Sequence, residues 1–326
     1  SLQVKNIYLE LPRPQLKLYK QVEEGIFSSI SGFDKLRRVE DAQGMALENM
    51  IRCQQILGCP DQVYQLIKNA RDELATRQED LSEDRVNLIK SNTLKRDHHM
   101  ISDSEGENFI LGWDRRFSQL LKLLEKYNRK TTVKLDEIKR LIFDELPGQK
   151  IIIFSSYRSV IDYLEENLNG LKPPGSDSYN KSLKKLKTLR ITGNEDLETR
   201  NKNRKLFTSS PDYNILLVTT AAVKALNLQA ARAIICHDMP LTWGKLRQLT
   251  GRAVRIGSDN EFVDLISLIV RDTVDEVVYK KLYKTQRDVE AILGSLDKDK
   301  IVQKEDKDFD PEMLFGYMGN AELGNG

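Results

Sequence analysis

No stretch of the sequence approaches the roughly 18 to 20 consecutive apolar residues that a membrane-spanning helix requires, and the N-terminus lacks a secretory signal pattern. The sequence therefore predicts an intracellular chain with no membrane partner, cytoplasmic or nuclear. Cysteine is scarce: Cys53, Cys59 and Cys236 are odd in number and scattered, which excludes a disulfide framework. A zinc site built from Cys53, Cys59, His98 and His99 fails on spacing, because five residues separate the two cysteines where about two to four are usual. Excess charge of one sign is also missing. The 51 Lys and Arg against 49 Asp and Glu leave +2, so any surface for a polyanion must come from local patches. Nor is there a Gly-x-x-x-x-Gly-Lys-Ser/Thr phosphate loop, or an Asp-Glu-x-Asp/His pair to hold magnesium. A chain without them is not expected to turn over a nucleoside triphosphate by itself.

What is present is enough polypeptide, 326 residues with 40% hydrophobic, for two cores or for one core with helical additions. Residues 2–11 alternate as a strand does, and Pro12 and Pro14 end them. Helical periodicity follows over 15–30, 41–57, 61–90, 113–127 and 134–146, with a polar loop at 91–108. Residues 150–156, Lys-Ile-Ile-Ile-Phe-Ser-Ser, form an apolar run without alternation, as in a parallel strand buried on both faces. A helix over 159–168 comes next, then strands at 189–193, 215–219, 232–238 and 261–269, with a helix over 197–207 and another over 274–293. Thr273 is placed to cap that last helix, with Asp275 and Glu276 in its first turn. Strands alternating with helices imply an α/β fold around a parallel sheet. Ser155, Ser156 and Tyr157 fall at the C-terminal end of their strand, where open parallel sheets gather ligand contacts.

The richest stretch is 248–257, Gln-Leu-Thr-Gly-Arg-Ala-Val-Arg-Ile-Gly. Arg252 and Arg255 are three apart on a predicted helix, close to one turn, so both guanidinium groups can leave one face and meet one anion. The planar fork of arginine stays charged and matches phosphate oxygens in pairs. A solvated basic face is the plainer alternative. A second basic group, Lys181, Lys184, Lys185 and Lys187, follows a Pro-Pro-Gly loop and suits a DNA backbone or, equally, solvent. His237-Asp238 reads as structural, because no serine or cysteine stands at a telling position to complete a relay.

Gln248, Gly251, Arg252 and Arg255 resemble the last conserved motif of superfamily-two helicases, in the form used by Swi/Snf-type DNA translocases. Further stretches are similar to the same family: Leu11-Pro12 with Gln15 and Leu18-Tyr19, the lead-in Lys134-Leu135, the 150–156 strand, the 218–229 segment with Thr219, Ala221, Asn227 and Leu228, and Asp272-Thr273 with Asp275-Glu276. In the 218–229 segment, Ala222, Val223 and Ala225 stand where the family has glycines that let backbone approach a ligand.

The resemblance implies a RecA-like helicase C-terminal lobe over 131–295. Residues 1–130 are then a helical insertion and linker region following a first lobe. Residues 296–326 form a tail whose Met313, Leu314, Phe315, Tyr317 and Met318 dock back. It implies Arg252 and Arg255 as arginine fingers, Gln248, Gly251 and Asn227 near ATP, and Ser155, Ser156, Tyr157, Thr219, Thr220, Lys184 and Lys185 toward nucleic acid. ATP and Mg2+ would be held mainly by the first lobe, and the partners would be that lobe and double-stranded DNA. Nucleoprotein or polymerase partners stay open. Ser1 in place of a methionine agrees with a chain cut from a longer protein. Two other functions remain: a non-catalytic RecA-like binding module, and a strand-separating or branch-migrating helicase acting on DNA or RNA.

Overall fold

The computed structural model describes residues 2–31, 50–79, 118–174, 185–220, 230–240, 244–246, 248–249 and 262–294. The chain divides into two compact units, Ser1–Pro12 with Gln43–Cys59 and Thr131–Gly326, and Arg13–Ala42 with Pro60–Lys130.

The first unit is built on a six-stranded, wholly parallel sheet. In chain order its strands are β1 (Leu2–Leu9), β2 (Ile151–Ser155), β3 (Thr188–Ile191), β4 (Ile215–Thr219), β5 (Ala233–Cys236) and β6 (Val263–Val270). Across the sheet they run β1-β6-β5-β2-β4-β3. Every residue of β2, β4 and β5 is buried, as expected of central strands covered by crossover helices on both faces. The register sets Phe154 beside Cys236 and Val218, and Ser155 beside Thr219. The C-terminal ends of β2, β4 and β5 therefore lie at one level.

Three helices of this unit carry recognisable start signals. One (α5, Val133–Arg140) is capped by Thr132, whose hydroxyl accepts the Leu135 amide at 3.1 Å, and runs on into a π turn at Leu141–Glu145. The helix after β2 (α6, Arg158–Leu168) buries Val160, Ile161, Leu164 and Leu168. The helix after β3 (α7, Leu197–Ser209) is capped by Asp196 on the Thr199 amide at 2.7 Å. The last (α8, Val274–Gly294) has Asp275 and Glu276 in its first turn, beneath the positive end of its dipole. As expected, Thr273 serves as a cap, accepting the Asp275 amide at 3.3 Å while donating to the Val270 carbonyl at 2.7 Å.

Two pieces of the stretch that the sequence sets apart as residues 1–130 fold with the sheet. Strand β1 pairs in parallel with β6 along its whole length, from Leu2 opposite Val263 to Leu9 opposite Val270. The helix over residues 50–58 (α2) ends at Gly58, where an added Cβ would stand 2.6 Å from His237 Cε1 and 2.9 Å from Val160 Cγ2. Such a contact requires the hydrogen side chain, and Cys59 beyond it joins the core formed by Leu135, Ile138, Ile153 and Val160. The alternation of β1 is visible locally, but its partner lies some 260 residues away in sequence, which periodicity cannot reveal.

The second unit is helical: α1 (Arg13–Ser31), α3 (Pro60–Glu79) and α4 (118–126). Tyr19, Val22, Val63, Ile67, Leu120 and Leu124 are buried. Gly25 lies so near Leu120 that a Cβ would meet its Cδ2 at 2.9 Å. Arg129 pairs with Asp61 and lies 4.0 Å from the Tyr64 ring centroid. No helix among the described residues is long and apolar enough to cross a membrane.

Candidate functional site

The C-terminal edge of the sheet brings together five of the predicted positions and several that were not foreseen. Strand β2 ends at Ser155, and the chain then turns through Ser156 and Tyr157 into α6. Strand β4 ends beside it at Thr219, with Thr220 following half-buried. Strand β5 leads into His237-Asp238, and β6 into the turn at Arg271-Asp272-Thr273, where Asp272 adopts a positive φ of 58°.

Asp238 is the hub. It is 1% exposed; its Oδ1 accepts the Ser156 amide at 2.8 Å and its Oδ2 accepts the Ser155 hydroxyl. The oxygen of Ser155 in turn accepts the Tyr157 amide at 3.1 Å. The Tyr157 hydroxyl donates to Gln54 of α2. His237 Nδ1 is 3.4 Å from Asp238 Oδ2. Burial pushes the Asp238 carboxyl upward, but the hydrogen bond from His237, the nearby Lys134 charge and the Ser155 hydroxyl outweigh it and hold the carboxyl below its ordinary value. An ionised Asp238 accepts only, so the His237 proton sits on Nδ1 and the bare Nε2, which has no hydrogen-bond partner among the described residues, is left as an acceptor.

Beneath this hub lies a buried ion pair. Lys134, fully buried in the first turn of α5, donates to the His237 carbonyl at 2.6 Å and pairs with Asp275 Oδ2 at 2.6 Å. Asp275 Oδ2 also accepts the Val270 amide at 3.3 Å. The starts of α5 and α8 and the ends of β5 and β6 are thus tied at one point. The sequence marks Lys134 and Asp275 separately, as a lead-in and as a helix-start anion. That they pair could be seen only once the sheet brought the two helix starts together.

A serine does stand near His237-Asp238, contrary to the expectation that none was placed to complete a relay. Ser155 donates directly to Asp238, however, and the histidine is not interposed between them. A relay requires the imidazole to lie between hydroxyl and carboxylate, so the group is structural, as expected. Burial and the positive charge of Lys134 push the His237 pKa below its ordinary 6.5. The folded chain then binds fewer protons than the unfolded one below pH 6.5, and stability falls as pH falls. Denaturant melts should lose up to about 1.4 kcal/mol for each pH unit below that value until the folded imidazole itself titrates. His237→Gln should remove this slope, and an unchanged slope in the variant would assign it elsewhere. The Asp238 contribution is lost only in stronger acid, as pH falls below the ordinary carboxylate range.

Of the predicted nucleic-acid contacts, Ser155 and Thr219 are buried and Ser155 is engaged internally. Tyr157 is 9% exposed with its hydroxyl on Gln54. Ser156 and Thr220 lie half-buried on the rim, and Lys185 is exposed. Gln248 is exposed while its neighbours Leu246 and Leu249 are buried, so this short helical stretch turns Gln248 outward. Asn227, Gly251, Arg252, Arg255 and Lys184 lie outside the described residues, as do Ala222, Val223, Ala225, the 91–108 loop and the tail beyond 294. The thiols weighed as zinc ligands are buried, Cys59 within 3.4 Å of the Ser159 hydroxyl and pushed up by burial to about 11. His98 and His99 are outside the described residues.

Residues 133–257 match the family model described as Helicase conserved C-terminal domain. The chain is 32% identical over 134 residues to Chromodomain-helicase-DNA-binding protein 1-like of Mus musculus, a match covering 41% of this chain and 13% of that protein. It is 30% identical over 140 residues to Transcription regulatory protein SNF2 of Saccharomyces cerevisiae, covering 42% and 7%. The matches thus span a small part of these relatives' length. The solved C-terminal part of the Fun30 ATPase domain superposes with a TM-score of 0.51 at 19% identity, covering 86% of this chain and 88% of that one. The helicase domain of Pyrococcus furiosus Hef superposes with a TM-score of 0.53 at 15% identity, covering 86% and 57%. At such identities the two structures speak for the fold, and the sequence relatives for its type. The parallel sheet and the helicase match over residues 133–257 together give this part of the chain the fold of a RecA-like helicase C-terminal lobe, similar in sequence to the same region of Swi/Snf-type relatives.

Proposed function

We propose that this chain is the second lobe of an ATP-driven translocase acting on double-stranded DNA. It would complete, from across a cleft, a nucleotide pocket whose phosphate loop and magnesium ligands belong to a first lobe. The observation that carries this reading is the helicase match over 133–257, which runs through Gln248, Gly251, Arg252 and Arg255 while the chain itself has no phosphate loop. Gln248 faces outward, as a residue meeting a nucleotide on another lobe must. Arg252 and Arg255 would neutralise charge developing on the transferred phosphoryl group, with Asn227 and Gly251 beside them. ATP with Mg2+ supplies the driving reaction. This chain's own part is to bring cationic donors and to hold DNA at the rim through Ser156, Thr220, Lys184 and Lys185. Ser155, Tyr157 and Thr219, by their burial, would set the backbone of that rim.

A non-catalytic module is the second reading, and the replacement of three glycines by Ala222, Val223 and Ala225 favours it. One experiment separates them. Alone, the chain should show no ATP turnover; in the full-length protein, ATP turnover should appear and be raised by duplex DNA. Turnover by the chain alone would refute the missing-lobe argument, and a silent full-length protein would favour the non-catalytic module.

A further inference from the structure

Strand β1 forms one edge of the sheet, with β6 on one side of it and no described strand on the other. The direction of its free hydrogen-bonding groups follows from one contact: the Arg271 amide donates to the Leu9 carbonyl at 2.8 Å, so the backbone of Leu9 faces β6. Successive residues of a strand turn their N–H and C=O to opposite sides. Lys5 and Ile7 therefore bond toward β6 as Leu9 does, and Val4, Asn6 and Tyr8 present theirs to the open edge. Side chains alternate in the same way. Ile7 and Leu9 pack on the core, and Lys5 pairs with Glu145 at 2.8 Å. On the other face Val4 is 53% and Tyr8 42% exposed, two of the four large apolar side chains that stand out among the described residues. Tyr8 is held there by the edge of the Tyr279 ring, 6.3 Å between centroids, and by Arg271, 4.9 Å from the Tyr8 centroid. Asn6 between them donates to the Tyr279 hydroxyl at 2.5 Å.

An open edge of eight residues carrying apolar side chains is a template for another strand, and this one is complementary to itself. In an antiparallel pair about a two-fold axis through Asn6, Asn6 lies opposite Asn6 of a second copy, and Val4 of each copy lies opposite Tyr8 of the other. These residues point their backbone groups at one another, so each opposed pair exchanges both hydrogen bonds. Both exposed apolar side chains are covered, in the aromatic and β-branched pairing that stabilises sheets. The neighbouring registers do worse. An axis through Lys5 sets Lys5 directly against Lys5, a destabilising like-charge pair, and Val4 against Asn6. An axis through Ile7 sets Val4 against Glu10.

We infer that β1 is a self-association edge, through which two copies of the protein join antiparallel with Asn6 on the axis to make one continuous sheet. Because the paired strands run in opposite directions, the C-terminal edges of the two sheets, with Ser156 and Asp238, open to opposite ends of the dimer. Neither copy adds a residue to the other's site, and the association is independent of the function proposed above. One strand edge is small against the roughly 1,200–2,000 Å² of a stable interface, so the dimer is expected to be weak, half formed at about 10 to 100 µM.

Sedimentation equilibrium of the full-length protein, without DNA or nucleotide, should show a reversible balance of monomer and dimer in that range. Val4→Lys places a charge on the exposed face, a common natural defence of an open edge, and should weaken the dimer about tenfold or more, since it acts twice. Tyr8→Glu should do the same. The variant carrying both sets each lysine opposite a glutamate of the other copy and should regain most of the lost association, a recovery that only the register through Asn6 predicts. Both positions are exposed, so the urea midpoints of all three variants should stay near wild type. Should a charged variant unfold, cysteines decide, because the native thiols among the described residues are buried. With a short thiol cross-linker, Asn6→Cys should give covalent dimer faster than Val4→Cys, and Val4→Cys mixed with Tyr8→Cys faster than either alone. A protein that stays monomeric to about 1 mM, a dimer indifferent to Val4→Lys, a double variant no better than the singles, or equal cross-linking at positions 4 and 6 would each overturn the inference.

Discussion

Arg255→Ala in the full-length protein should lower ATP turnover by about a thousandfold or more while leaving ATP binding largely intact, because an arginine supplied from a facing lobe acts on charge that develops only in the transition state. Arg252→Ala should show a similar loss. A lysine at position 255 should recover little: it keeps the charge but loses the planar fork that engages two oxygens at once. The discriminating measurement is single-turnover hydrolysis alongside equilibrium binding of a labelled nucleotide. A fall in affinity that accounted for the whole loss would make these side chains binding groups, and an unchanged rate would remove them from the pocket.

The largest effect on stability is expected at Lys134. Its ammonium is completely buried, 2.6 Å from Asp275 Oδ2 and 2.6 Å from the His237 carbonyl. Lys134→Met keeps much of the volume but strands the Asp275 carboxylate, whose Oδ1 already has no hydrogen-bond partner among the described residues. Breaking a buried pair from one side costs about 3–5 kcal/mol, a large share of the roughly 5–15 kcal/mol that holds a typical domain folded. Asp275→Asn retains an acceptor for the Val270 amide, and combined with Lys134→Met it should recover most of the loss, because no uncompensated charge is left. Urea unfolding of the three variants decides it. A single Lys134→Met that lost less than about 1 kcal/mol would show that water reaches the pair and that the knot matters little.

The central strands were legible in the sequence because burial on both faces leaves unbroken apolar runs, and Ile151–Ser155 and Ile215–Thr219 appear almost as expected. Helix starts were legible where capping is local, as at Thr273. Pairings between distant segments were not. Nothing near Lys134 announces Asp275, nothing in residues 50–58 announces His237 or Tyr157, and the alternation of Leu2–Leu9 does not say which strand it will join. For the candidate site, the sequence already puts Ser155 and Thr219 at strand ends, where the structure finds them, because residue type and strand end are local properties. It could not tell Ser155, which faces inward to Asp238, from Ser156 on the rim, since that division depends on where β5 ends beside β2.

The pairing of β1 with β6 bears on how load enters this lobe. Eight consecutive residues lie in parallel register, so a pull applied at residue 2 along the strand axis strains the ladder in shear, all rungs together. A pull across the strand would open the rungs singly, like a zip. An attachment made through this strand is therefore stiff along one direction and yielding along the other, so the sheet has a defined axis along which displacement can be passed on.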